Sequence, residues 1–97
     1  MKVFFKQVHN EFIPVLGKRL TLDGYTNFKF FAYQEFGQWY IAEVTTGQGV
    51  SEPENKGKTL AQTIVDTLSR LSRYGMTSAK MQALIDNSVK SPCQISR

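Results

Sequence analysis

Residues 27–46, NFKFFAYQEFGQWYIAEVTT, constrain the fold more than any other part of the chain. Two runs rich in aromatic and β-branched residues, Phe28 to Glu35 and Trp39 to Thr45, are joined through Phe36-Gly37-Gln38. Such residues suit a pleated, half-buried surface, and a glycine supplies the positive φ that a tight hairpin turn demands. The segment therefore reads as a β-hairpin. Side chains alternate across a strand, so Phe28, Phe30 and Ala32 share one face and Lys29, Phe31, Tyr33 and Glu35 share the other. The second face mixes aromatic and charged groups and is predicted to stay in contact with solvent or a partner.

On the N-terminal side, Val3, Phe5 and Gln7 alternate with Phe4, Lys6 and Val8, a strand pattern with apolar groups on both faces. The stretch HNEFIPVLGKRLTLDGYTN that follows is interrupted by Pro14, Gly17 and Asp23-Gly24, so the sequence predicts only a short edge strand around Leu20 to Leu22 with turns on either side. From Thr59 the period changes. Leu60, Ala61, Ile64, Val65, Leu68 and Leu71 recur at helical spacing, with Thr59 as N-cap and Gly75 as stop. A second helix follows, capped by Thr77 or Ser78, with Met81, Leu84, Ile85 and Val89 as its apolar stripe, and ends before Pro92.

These elements define an α+β fold: an antiparallel meander of three or four strands followed by two C-terminal helices, at least the first packed on one sheet face. Ninety-seven residues suit one domain, read here as residues 1–92, with a flexible tail over 93–97.

The glycine-rich stretch TTGQGVSEPENKGKTL, residues 45–60, invites comparison with a phosphate-binding loop because Gly57-Lys58-Thr59 precedes a helix. That loop needs a first glycine five residues before Gly57, where the backbone turns its N–H groups around the phosphates. The position holds Glu52, a carboxylate where phosphate would sit, and Pro53 beside it lacks an N–H. No strand pattern follows Thr59 to build the parallel sheet such loops require. The stretch is read as a helix start, and nucleotide is not expected as a ligand.

Other chemistry is equally sparse. Cys93 is the one cysteine, so it can form no internal disulfide, and no second cysteine or nearby histidine gives it a metal-binding or catalytic partner. His9 is the one histidine, and its neighbours Asn10 and Glu11 do not form a dyad with it, because adjacent strand residues face apart. Carboxylates such as Glu35 and Glu43, one on each arm of the hairpin, are the remaining route to acid–base catalysis. No enzyme activity, cofactor or metal is expected. No apolar run approaches the ~20 residues of a membrane helix, and Lys2 and Lys6 break the N-terminal apolar run before a signal-peptide core could form. A cytoplasmic protein without membrane attachment is the expectation.

The net charge of +4 is unevenly placed. Residues 55–97 carry seven basic and two acidic side chains, whereas residues 1–54 carry five basic and six acidic. Lys56, Lys58, Arg70, Arg73 and Lys80 on the helical half are therefore the candidate phosphate contacts of a nucleic-acid binder. A helix-turn-helix comparison fails in detail, since Leu71 stands where that packing wants a small residue and Arg70 precedes it. Lys29, Phe31, Tyr33 and Trp39, with Tyr40 nearby, are the candidate partner-binding residues. In composition they resemble a stacking platform for single strands, but KFFAY lacks the glycine-containing pattern of the common RNA-binding sheet. The leading expectation is a small accessory or regulatory protein that docks through an exposed aromatic sheet face on a protein partner or a second copy of itself. The alternative is nucleic-acid binding through the basic helices.

Overall fold

The structure, a computed structural model, describes residues 1–52 and 56–91. Four strands form one antiparallel sheet in the order β1 (Lys2–Val8), β2 (Glu11–Leu20), β3 (Phe30–Glu35), β4 (Gln38–Glu43), followed by α1 (Leu60–Arg73) and α2 (Ser78–Asp86). This is the meander with two C-terminal helices that the periodicities predict. Pro92, Cys93 and the tail over 93–97 lie outside the described residues, as does Pro53.

The largest departure from the sequence reading is β2. It is a ten-residue strand, not a short edge strand around Leu20 to Leu22. It joins β1 through His9 and Asn10, whose φ angles of 50° and 68° match the twist of a two-residue hairpin. Pro14 is tolerated because of where it falls. Gln7 turns its N–H away from β2 to the carbonyl of Gly47, so Phe5, two residues back, has the same orientation and its partner Pro14 needs no bond to β1. The β3 ladder on the opposite edge of β2 begins only at Gly17. Leu22 lies past the strand, fully buried in a loop that also contributes Tyr25 and Phe28 to the core.

Gly17 is where β2 passes from β1 to β3, pairing with Lys2 on one side and Tyr33 on the other. A Cβ there would lie 2.5 Å from the Ala32 carbonyl oxygen and 3.4 Å from Phe4 Cδ2. The absent side chain lets the strand bend and the neighbouring strands close in. The sheet curls enough that Gly47, just past β4, bonds back to β1 through the 2.8 Å Gln7–Gly47 hydrogen bond.

Curling produces two cores. The helix-covered face holds Phe30, Ala32 and Ile41 with Leu22, Tyr25, Phe28, Leu71, Met81 and Ile85. α1 contacts β4 on this side. Its N-cap is Thr59, whose hydroxyl accepts from the Gln62 N–H while the Gln62 side chain accepts from the Thr59 N–H. The buried face is rotated from the predicted stripe: Thr63 and Thr67 are fully buried beside Leu71, while Val65 is 65% exposed and Ala61 is exposed. Both threonines satisfy their hydroxyls by donating to the carbonyls four residues back, of Thr59 and Thr63. In α2 the buried residues are Met81 and Ile85, capped by Thr77, whereas Leu84 is 49% exposed and Val89 lies beyond the helix end.

Candidate functional site

The concave side of the curled sheet holds the second core: Phe4, Phe31, Tyr33, Ala42 and Val44, with Val15 and Tyr40 packed against it. Phe4 stacks on Phe31 with ring centroids 4.6 Å apart, Phe31 meets Tyr33 at 5.8 Å, and Tyr33 meets Tyr40 at 5.1 Å. At the open end Lys6 pairs with Glu35 and lies over the Tyr33 ring. Burial, the Glu35 charge and Tyr40 together push the Tyr33 hydroxyl up to about 12.

This geometry corrects the expected exposure of the aromatic face. Phe31 and Tyr33 do sit together, yet Phe31 is fully buried and Tyr33 only 8% exposed. The hairpin alternation was right, but β1 folds over the face and fills it from within the chain. Trp39 is on the opposite pleat, packed against the helix-side core with Lys18 above its ring, and does not join Phe31. Lys29 is exposed just before β3. The four residues therefore form no single surface.

The basic residues of the alternative reading are partly neutralised. Glu52 receives Arg70 at 2.6 Å and Arg73 at 2.8 Å, and Lys58 pairs with Asp66. The hydrogen bond from Arg73, with that from Arg70, holds the Glu52 carboxyl below the usual carboxylate range, while Glu52 raises Arg73. Lys56 and Lys80 are exposed and form no ion pair among the described residues. The same Glu52 that spoils the phosphate-loop pattern is thus a salt-bridge partner, and Thr59 is a helix cap.

Glu35 and Glu43 stand at opposite ends of the β3–β4 ladder, opposite Gln38 and Phe30 respectively. They do not form a carboxylate pair. Glu43 is buried and spends its oxygens locally, accepting from the N–H groups of Thr45 and Thr46 and from the Thr46 hydroxyl, all at 2.8–2.9 Å. Its role is to hold the turn that ends β4. Among the described residues no three His, Cys, Asp or Glu side chains converge as metal ligands, and no helix is long and apolar enough to cross a membrane.

The outer side of the β1–β2 hairpin is open. Val3 faces Leu16 and Phe5 faces Pro14 across this pair of strands, on the same pleat as the helix-covered face but beyond the reach of α1, which packs at β4. Val3 is 53% and Leu16 63% exposed, Pro14 is exposed, and Phe5 and Phe12 are half-buried. Sequence reasoning missed this strip because β2 was not recognised. The available signal was β1 itself, apolar on both faces in a chain with too few helices to cover both.

No protein-family model, no curated protein and no solved structure matches this chain.

Proposed function

We propose that the chain is a non-enzymatic binding protein, accessory or regulatory to a macromolecular partner that is itself a protein, and that it docks through the outer face of the β1–β2 hairpin. One observation carries the reading: the cross-strand pair Val3–Leu16 is more than half exposed at one end of an apolar strip that continues through Phe5 and Pro14. Contiguous exposed apolar patches on an ordered surface mark interaction sites. The buried Phe31 and Tyr33 support that surface from beneath and do not touch the partner.

Nucleic-acid binding has less behind it. Three of its five candidate cations are held by Glu52 or Asp66, and phosphate would have to compete with those carboxylates. The test is capture of partners from lysate, with and without nuclease, by the wild-type chain and by Leu16→Lys. A protein captured in both lysates and lost with Leu16→Lys supports the reading. Capture that disappears on nuclease treatment and is indifferent to Leu16→Lys would replace it with the nucleic-acid alternative.

A further inference from the structure

The β3–β4 turn carries an aromatic residue in an unfavourable place. Phe36 has φ 55° and Gly37 φ 76°, so the turn requires left-handed backbone at both positions. Gly37 adopts it freely, but a bulky side chain does so only under strain. Phe36 gains no compensating burial, since it is 86% exposed and has no ring contact among the described residues. Strain at an exposed aromatic is a pattern associated with binding sites.

At the other end of β4 lies a pocket of about 210 Å³ between the 46–50 turn and the helices, with Val50, Leu71, Met76 and Met81 on its apolar side and Glu43 and Arg70 on its polar side. A cavity of roughly 150 Å³ accepts a benzene ring, so this one has room for a phenyl ring and its methylene. Two methionine side chains suit an aromatic guest, being adaptable in shape and favourable in sulfur–ring contact. The knob and the hole are separated by the length of β4, about 17 Å at 3.4 Å per residue, so a chain cannot fill its own pocket with its own turn.

We infer that Phe36 of one copy inserts into the Met76–Met81 pocket of a second copy. Because each copy carries both knob and hole, the insertion is either reciprocal, closing a two-fold dimer, or head to tail, continuing until a ring closes. The inference uses neither the Val3–Leu16 strip nor any partner, and stands or falls separately from the function proposed above.

Sedimentation of the purified full chain over a wide concentration range tests it. Wild type is expected to grow in average mass from monomer to dimer or beyond, while Phe36→Asn, which lacks the knob, and Leu84→Trp, which blocks the pocket from its exposed rim, each stay monomeric. Mixed together, these two variants are expected to form a one-to-one dimer, because one retains the hole and the other the knob. Should Leu84→Trp fail to fold by circular dichroism, N-acetyl-phenylalanine amide serves in its place and should dissolve wild-type assemblies. Leu16→Lys should assemble like wild type. A wild-type chain that is monomeric throughout, or assembly that survives Phe36→Asn, would overturn the inference.

Discussion

The ring of Phe4 lies flat against that of Phe31, centroids 4.6 Å apart and planes 3° from parallel, although β2 runs between their strands. Only a strongly curled sheet permits this, and Gly17 is the residue that leaves room for it. Gly17→Ala is expected to destabilise by about 1–3 kcal/mol, since its Cβ would press on backbone at Ala32. Phe31→Ala should cost about 3–5 kcal/mol by emptying the centre of the concave core. Chemical denaturation checks both values, and wild-type stability in Phe31→Ala would mean the concave core is not formed.

The hairpin tip gives the opposite sign. Phe36→Asn replaces a strained residue with one that accepts left-handed backbone and completes the Asn-Gly pair favoured in two-residue hairpins. Stability should rise by about 1 kcal/mol, measured in dilute solution where the chain is monomeric. A loss of stability would show that Phe36 packs on its own chain.

At the start of α1, Thr59→Ala removes one half of a reciprocal cap and should cost about 1 kcal/mol. Magnesium with ATP or GTP should leave the melting temperature of the wild type unchanged, because Gly57-Lys58-Thr59 serves the helix. A nucleotide-dependent rise of several degrees would contradict that assignment.

Tyr33 supplies a pH dependence. Its hydroxyl is raised from 10.0 to about 12 in the fold, mainly by burial. The unfolded chain therefore loses this proton first as pH rises. The associated stability is fully present below pH 10 and is lost between about 10 and 12. Tyr33→Phe should flatten the decline in that window, and the absorbance of the native phenolate should show one late-titrating tyrosine that the variant lacks. Parallel declines in both proteins would place the late titration elsewhere.

The legibility of this fold follows the reach of each signal. The β3–β4 hairpin, the Thr59 cap and the Gly75 stop were readable because alternation, capping and left-handed glycine act over a few residues. β2 was hidden by Pro14 and Gly17: Pro14 is harmless because its place in the ladder needs no N–H, and Gly17 because neighbouring strands close in where a side chain would sit, both consequences of register. Thr63 and Thr67 looked polar, and their burial works only because helix carbonyls take their hydroxyl protons. The aromatic face was identified correctly as a face but not as an interior, because what covers Phe31 is Phe4, two strands earlier in the chain. The Val3–Leu16 strip came into view only with that same pairing.

Protein recognition is proposed to occur on the outside of the β1–β2 hairpin. The most direct measurement is amide hydrogen exchange of the wild-type chain, alone and with the protein partner recovered by capture. Binding is expected to slow exchange at residues 3–5, 15 and 16 while leaving 61–73 as in the free chain, and Leu16→Lys should remove the effect. Slowed exchange confined to the helices, with residues 3–5, 15 and 16 unaffected, would contradict docking on this hairpin.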